Sequence, residues 1–338
     1  MDKKYSTKKH LPLKISSEDS WEEYNQKQVR RYYNTNSNWK QKMQTLPDEE
    51  KQRLFFKYAL EGNKKMVKFL FENGKVDLDA VDADGNTPLM FAVKSGKREV
   101  AEYLLKKGAK VDYIDNFGVS PLHLATRKNS LELVTLFLEY GANINICDNY
   151  NQTPIFDAVM ENNPKMIELL FENGAKISYQ NREGRTPLMV SSYNKFRQEA
   201  MCTLLKLGAD VNVVDKMGRD AFMHAINNNN GAMMDILLKA GAVINRKDMA
   251  GFTPLMICAK RGNREGVRVL ISRGADVFVR NAKMQSAFDI ARACDNKTCA
   301  EIIAKAEKIY NSQMTDAQKI QELKKFATHN RVCNSCQK

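Results

Sequence analysis

The sequence has none of the features that mark a membrane-spanning or secreted chain. Its 338 residues contain no run of about 18 apolar residues, whereas a helix needs about 20 to cross the hydrocarbon core of a bilayer. Residues 1–15 are rich in lysine and include no apolar stretch of the kind found in secretory signals. We therefore expect neither a transmembrane helix nor a secretory signal.

Cysteine is infrequent and odd in number. The seven cysteines are scattered along the chain, unlike the paired set of a disulfide-stabilised secreted domain. They are Cys147, Cys202, Cys258, Cys294, Cys299, Cys333 and Cys336. This pattern favours reduced thiols, and we expect a cytoplasmic protein, with the nucleus as the alternative compartment.

The sequence also has few candidate metal ligands in any one place. Cys333 and Cys336 have the C-x-x-C spacing that lets two thiolates reach one zinc ion, and His329 lies close by in sequence. A structural zinc site needs four ligands, and no second cysteine pair is near. We expect no metal site and no cofactor, while zinc binding and redox activity of this pair stay open as alternatives.

Sequence signatures of catalysis are missing. There is no Gly-rich phosphate loop, no G-x-S-x-G motif and no H-E-x-x-H motif. The four histidines are His10, His123, His224 and His329; apart from His329 beside the cysteine pair, none clusters in sequence with cysteines or carboxylates. We therefore expect no enzymatic activity.

A repeat dominates the rest of the sequence. The triplet Thr87-Pro88-Leu89 recurs at intervals of about 33 residues or twice that distance, beginning at Ser120, Thr153, Thr186 and Thr253. Degenerate copies begin at Asp220 and Ser286. A series of glycines follows the same period: Gly74, Gly108, Gly141, Gly174, Gly208, Gly241 and Gly274. Such a period is typical of a solenoid, in which each unit buries its apolar side against its neighbours.

Each unit, for example residues 82–114, predicts a turn followed by two helices. Gly85 suits a tight turn because glycine accepts a positive φ without steric cost. Thr87 is expected to cap a helix that begins at Pro88, where the missing amide hydrogen would have had no partner. The helix ends near residues 95–96, and Gly108 is expected to close the second helix in the left-handed conformation.

At this level of detail the chain closely resembles the ankyrin-repeat family. The family pattern Thr-Pro-Leu-His-x-Ala is matched best by residues 120–125, and the resemblance covers about residues 49–309, or eight repeats with degenerate first and last copies. It implies an all-α ankyrin-repeat solenoid of stacked helix-turn-helix units with β-turn fingers, flanked by short terminal helices. It also implies a binding scaffold, because the fold supports many partners and specifies none of them.

Two shorter segments flank the repeats in the predicted domain organisation. Residues 1–48 form a partly helical extension, with a helix expected within residues 17–33 that either docks on the first repeat or binds a partner. Residues 310–338 contain a predicted helix after Thr315, which has a capping box with Gln318. We expect this helix to cover the last repeat and the tail beyond it to be mobile.

The chain is basic, with a formal net charge of +13. The excess is spread over both flanks and the repeats, and short basic pairs such as Lys3-Lys4 and Arg30-Arg31 are isolated. A dedicated nucleic-acid binder is expected to concentrate its cations in a stripe or to place stacking aromatics at regular positions. The pattern therefore disfavours nucleic acid as the partner. Binding to nucleic acid or to another anionic surface nevertheless stays the alternative function.

The candidate binding residues are those that the repeat pattern does not use. Apolar residues occupy the expected finger tips at Phe117, Tyr150, Met217, Met249 and Phe252, where they either pack on the next finger or anchor a partner. The ends of the inner helices contribute Arg127, Met160, Tyr193 and Lys260. The resemblance implies that His123 forms a hydrogen bond within its own repeat. His224 lies one residue later in its repeat and is a candidate to face the binding groove along the inner helices.

These residues predict a monomeric, non-enzymatic scaffold that binds a protein segment across finger tips and inner helices. The mixed basic and apolar character of the row points to an acidic or amphipathic segment in that partner. A further hypothesis, compatible with this one, is an adaptor that delivers clients to an enzyme such as a ubiquitin ligase or kinase.

Overall fold

The computed structural model describes residues 39–227 and 231–327. The helix expected within residues 17–33 and the Cys333/Cys336 pair lie outside the described residues. The chain divides into two compact units, residues 1–149 and 150–338.

The described part of the first unit is built from seven α-helices. In chain order these are α1 Trp39–Gln44, α2 Asp48–Glu61, α3 Lys64–Asn73, α4 Pro88–Lys94, α5 Arg98–Lys106, α6 Pro121–Arg127 and α7 Leu131–Glu139. The inner helices α2, α4 and α6 pack side by side, and the outer helices α3, α5 and α7 do the same. Each inner–outer pair forms one repeat.

The second unit continues the same alternation of inner and outer helices. Its elements are α8 Pro154–Met160, α9 Pro164–Glu172, α10 Pro187–Ser191, α11 Gln198–Lys206, α12 Ala221–Asn227, α13 Gly231–Lys239, α14 Pro254–Arg261, α15 Arg264–Ser272, α16 Ala287–Ala293, α17 Lys297–Tyr310 and α18 Asp316–Lys324. Two short 3-10 helices, Lys195–Arg197 and Lys325–Ala327, complete it. The first of them lies between Gly174 and Gly208, which are 34 residues apart, so this repeat has a one-residue insertion relative to the 33-residue period.

The predicted caps explain where the inner helices begin. The hydroxyl of Thr87 accepts a hydrogen bond from the amide of Met90 at 3.3 Å, and Thr186 does the same for Met189 at 3.3 Å. Each cap satisfies one of the amides that a helix start leaves without a partner. The predicted start at Pro88 is thereby confirmed.

The periodic glycines close the outer helices, with one exception. Gly108 has a φ of +93°, the left-handed conformation that glycine adopts without a Cβ clash. Gly74 instead ends α3 with an extended backbone, at φ −117°. The first repeat therefore has a glycine at the expected position, but that glycine does not adopt the left-handed conformation seen at Gly108.

The core of each repeat lies between its own two helices and those of its neighbours. Leu89 and Leu104 in the first unit, and Leu204 and Leu237 in the second, are at most 1% exposed. Burying a side chain of this size contributes about 2 kcal/mol. The apolar stripes predicted from the sequence thus hold neighbouring repeats together.

The C-terminal end departs from the repeat pattern. The outer helix α17 has 14 residues, whereas α15 has 9, and no glycine closes it. After a short turn, the hydroxyl of Thr315 accepts a hydrogen bond from the amide of Gln318 at 3.4 Å and starts α18. Helix α18 packs against α15 and α17. The predicted terminal helix is confirmed, and it lies against the outer helices of the last two repeats.

No helix within residues 39–227 and 231–327 is both long and apolar enough to span a membrane. Among the described cysteines, Cys147, Cys258, Cys294 and Cys299 form no disulfide bond.

Candidate functional site

Each finger of the second unit is a turn held by the side chain that begins it. In the finger at residues 215–219, Oδ1 of Asp215 accepts hydrogen bonds from the amides of Met217 at 2.8 Å and Arg219 at 3.0 Å. Gly218 completes the turn with a φ of +74°. The side chain of Asp248 holds the next finger in the same way, through the amides of residues 250 and 252. The tips are therefore fixed by hydrogen bonds and do not depend on contacts of their own side chains.

Backbone hydrogen bonds connect neighbouring fingers. Within the second unit, the amides of Arg182, Lys216, Met249 and Ala282 donate to the carbonyls of Tyr150, Glu183, Met217 and Ala250, at 2.9, 3.1, 3.0 and 3.4 Å respectively. The turn glycines permit this close approach, since a Cβ on Gly184 would lie 2.8 Å from the amide nitrogen of Lys216. The fingers consequently form an ordered row with a fixed spacing.

The predicted apolar tips of this row are largely exposed. Tyr150 is 66% exposed, Met217 52% and Met249 75%. Phe252 differs from them because it is half-buried. We call Tyr150, Met217, Met249 and Phe252 the finger row. Because Tyr150, Met217 and Met249 are more than half exposed, packing on the next finger is not their main role.

Two cation–aromatic pairs lie beside the finger row. The ammonium nitrogen of Lys260 is 5.5 Å from the ring centroid of Phe252, and the guanidinium carbon of Arg185 is 5.2 Å from that of Tyr193. Attraction between a cation and an aromatic face contributes about 0.5–1 kcal/mol at an exposed site. Arg185 also forms an ion pair with Glu183, whereas Lys260 presents its positive charge next to the ring of Phe252, an arrangement suited to an acidic group flanked by apolar ones.

The predicted position of Tyr193 on an inner helix is wrong. Helix α10 ends at Ser191, and Tyr193 follows it in a turn, half-buried, with its ring centroid 5.1 Å from that of His224. Burial raises the pKa of Tyr193 to about 12, so the phenol is neutral at physiological pH. The one-residue insertion that follows shortens α10 and turns Tyr193 inward.

His224 is buried and does not face the groove. It is 3% exposed, and its Nε2 lies 2.8 Å from Oδ2 of Asp215. Burial lowers the pKa of His224, and this effect outweighs the opposing influence of Asp215. One oxygen of the Asp215 carboxylate thus accepts the hydrogen bonds that hold the finger, and the other contacts His224.

The degenerate triplet at Asp220 replaces a hydroxyl cap with a carboxylate. Oδ1 of Asp220 accepts a hydrogen bond from the amide of Met223 at 2.9 Å, the same role that the hydroxyls of Thr87 and Thr186 have in their repeats. Its Oδ2 lies 2.9 Å from Nε of Arg246, an ion pair without the alignment of a hydrogen bond. Burial raises the pKa of Asp220. Asp220 therefore replaces Thr or Ser as the helix cap of this repeat, and its carboxylate has a structural role.

The remaining predicted residues have different surroundings. In the first unit, Phe117 is 62% exposed, and NH2 of the exposed Arg127 lies 3.9 Å from Oδ2 of Asp148. In the second unit, Met160 is half-buried and its carbonyl accepts a hydrogen bond from Nε of Arg197 at 3.3 Å. The predicted residues are thus divided between the two units, with seven of them in the second.

Two exposed features lie outside the predicted set. Arg219, in the finger at 215–219, lies with Nε 3.5 Å from Oδ2 of Asp248, and its side chain is half-exposed. Phe196, in the insertion after α10, is 72% exposed. The insertion in the period is the sequence signal for Phe196, because inserted residues lie outside the packing pattern. Within the described ranges, no three His, Cys, Asp or Glu side chains are grouped to hold a metal ion.

Comparison with known proteins agrees with this architecture. The family model "Ankyrin repeats (3 copies)" matches residues 24–115, 112–181 and 188–281. These stretches include more than half of the chain. The chain belongs to the ankyrin-repeat family, and its fold is the all-α ankyrin solenoid. Ankyrin repeats are general modules of protein–protein interaction.

The curated relatives share only part of their length with this chain. It is 42% identical over 66 residues to Ankyrin repeat and SAM domain-containing protein 6 of Danio rerio, covering 19% of this chain and 9% of that protein. It is 33% identical over 97 residues to the B-cell lymphoma 3 protein homolog of Mus musculus, covering 28% and 22% respectively. The chain therefore spans less than a quarter of either relative.

A solved structure is similar over a longer stretch. The crystal structure of the ankyrin repeat domain of Bcl-3, described as a unique member of the IkappaB protein family, superimposes with a TM-score of 0.59 at 30% sequence identity. The match covers 65% of this chain and 99% of that domain. The similarity extends to repeat architecture and leaves the partner of this chain open.

Proposed function

We propose that this protein is a non-enzymatic scaffold whose second unit binds an acidic segment of a protein partner along the finger row. The observation that carries the proposal is the ordered series of fingers, joined by backbone hydrogen bonds, with exposed apolar tips at Tyr150, Met217 and Met249. A surface that is already ordered loses little conformational entropy when it binds.

The acidic character of the partner follows from the cations beside the row. Lys260 lies against the ring of Phe252. Arg185 and Arg219 add positive charge in the finger series, although each also forms an ion pair, with Glu183 and Asp248 respectively. Complementary charge raises association rates and orients the partner, while apolar contacts supply most of the affinity. The partner segment should therefore alternate acidic and apolar side chains. We expect the scaffold to act as a monomer in the cytoplasm or nucleus.

The direct test compares two triple variants of the second unit. Tyr150→Ala/Met217→Ala/Met249→Ala removes the exposed tips, and Phe196→Ala/Val243→Ala/Met314→Ala removes exposed apolar side chains elsewhere. Proteins captured from native cells by the wild-type chain are identified, and affinity for each direct partner is measured by calorimetry. We expect the tip variant to bind at least about tenfold more weakly, a loss of about 1.4 kcal/mol, with an unchanged thermal midpoint. Equal binding by the two variants would rule out the finger row.

The alternative, nucleic acid or another anionic surface, follows from the formal net charge of +13. It is tested by titrating the chain with duplex DNA, single-stranded RNA and phosphatidylserine vesicles at several salt concentrations. Binding to nucleic acid should then weaken steeply with salt because counterions are released. No measurable binding at low salt would eliminate this alternative.

A further inference from the structure

A second surface of the second unit is a cleft beside the C-terminal helix α18. The cleft has a volume of about 890 Å³ and an apolar floor that includes Leu238, Ile244 and Ile271. Volumes of this size are in the range of sites that enclose ligand groups. We call it the α18 cleft. None of its lining residues belongs to the finger row.

The cleft exists because the last repeat ends irregularly. Helix α17 continues to Tyr310, and the chain then turns so that α18 packs against α15 and α17. Leu323 fixes α18 to this surface and is 4% exposed. Ile320 is three residues earlier and lies on the same face of the helix, yet it is 53% exposed. The apolar face of α18 is therefore only partly covered by the protein itself.

The charges around the cleft are mostly positive. Arg273, Lys319 and Lys324 line it, against a single acidic lining residue, Asp316. Asp235 pairs with Arg273. Lys319 and Lys324 form no ion pair with any residue in the described part of the chain. An uncompensated pair of lysines beside an apolar floor is complementary to a ligand that is both apolar and acidic.

We propose that the α18 cleft binds an amphipathic helix of a partner protein, with apolar side chains on one face and acidic side chains at its border. A helix fits because its apolar residues at i, i+3 and i+4 form a continuous stripe, which a groove between helices receives. Its apolar stripe covers Ile320, and its carboxylates meet Lys319 and Lys324. This surface is separate from the finger row, so the proposal does not depend on the proposed function.

The test uses a library of random peptides of about 16 residues, roughly four helical turns, displayed on phage and selected on the full-length chain. Three variants are compared with the wild type: Ile320→Glu, Lys319→Glu/Lys324→Glu, and the control Lys165→Glu/Lys297→Glu. The control changes two exposed lysines of other helices in the same unit by the same charge. Circular dichroism verifies that each variant keeps its helix content and thermal midpoint.

The expected result is a set of peptides with helically spaced apolar residues and neighbouring acidic ones, which gain helicity on binding. They should bind at least about tenfold more weakly to Ile320→Glu and to Lys319→Glu/Lys324→Glu, and equally well to the control and to the tip variant of the finger row. Peptides that lack this pattern, or that bind all variants equally, would overturn the proposal. It is also overturned if Ile320→Glu abolishes self-association in analytical ultracentrifugation, or if anionic vesicles and not peptides occupy the cleft.

Discussion

Two repeats of this chain use histidine and a helix cap in different ways. In the first unit, Nδ1 of His123 lies 2.9 Å from the hydroxyl of its own cap, Ser120, so the interaction stays within one helical turn. In the second unit, His224 lies one residue later and pairs with Asp215 of the preceding finger. A shift of one residue rotates a side chain by about 100° around a helix. The same residue type therefore stabilises a helix start in one repeat and a finger in the other.

The caps differ in charge as well as in position. Ser120 is a neutral cap, whereas Asp220 is a buried carboxylate that lies beside Arg246. A buried carboxylate needs a cation because desolvation disfavours its charged form. The cap at Ser120 can thus be predicted from neighbouring residues in the sequence. The charged cap at Asp220 instead depends on Arg246, which is 26 positions away. Three predictions test this difference.

The largest effect is expected from removing the charged cap. Asp220→Ala should lower the free energy of unfolding by about 3 kcal/mol, because about 1 kcal/mol of capping is lost and Arg246, mostly buried, loses its carboxylate. Ser120→Ala should cost about 1 kcal/mol. Both are measured by urea unfolding. The double variant Asp220→Ser/Arg246→Leu should stay within about 1 kcal/mol of wild type. Equal losses in the two single variants would mean that the ion pair contributes nothing.

A smaller effect concerns the finger, which the two repeats share. A Cβ on Gly118 would lie 2.6 Å from the amide nitrogen of Asn149, and one on Gly218 would lie 3.0 Å from that of Met249. Gly118→Ala and Gly218→Ala should each cost about 2 kcal/mol, from positive φ and from displacing the adjacent finger.

Gly141 is the matched control because its φ of +78° is nearly that of Gly118, while nothing lies within 4 Å of its Cβ position. Gly141→Ala should cost about 1 kcal/mol. Chemical denaturation of the three variants measures their free energies of unfolding. If the Gly141 variant were as unstable as the other two, close contact with the adjacent finger could not explain their instability.

The smallest effect is the pH dependence that His224 confers. Its pKa is lowered in the folded chain, so below the unfolded pKa of about 6.5 the unfolded chain binds more protons than the folded one. The contribution of neutral His224 is fully present above that pH and is lost as the pH falls, by at most about 1.4 kcal/mol per pH unit. His224→Gln should reduce this slope between about pH 7 and pH 5. Urea unfolding at each pH measures it, and an unchanged slope in the variant would contradict the assignment.

The sequence predicts the regular parts of this fold well because they depend on local chemistry. The cap at Thr87 and the left-handed closure at Gly108 follow from residues within a few positions of one another, and both are confirmed. The surroundings of Tyr193 and Asp220 could not be predicted in this way. Tyr193 leaves its helix because of an insertion after it, and Asp220 meets Arg246 only after two repeats have stacked.

The candidate site is less accessible to sequence reasoning than the fold. The finger tips could be located from the period alone, but the period does not indicate that Phe252 is half-buried against Lys260 while Met249 is exposed. The α18 cleft had no sequence signal beyond the capping box at Thr315, because it arises from the direction in which α18 returns across α15 and α17. The function of the finger row stays a prediction until a partner is measured.

The repeated hydrogen bonds between fingers join backbone atoms, so the spacing of the finger row does not depend on the side chains at its tips. The carbonyls at positions 150, 183, 217 and 250 accept these bonds whatever side chains those residues carry. Substitutions at the tips can therefore exchange charge, size and polarity while leaving the distances between them unchanged. Natural variation or design at these few positions could redirect the protein to a different partner without a new fold.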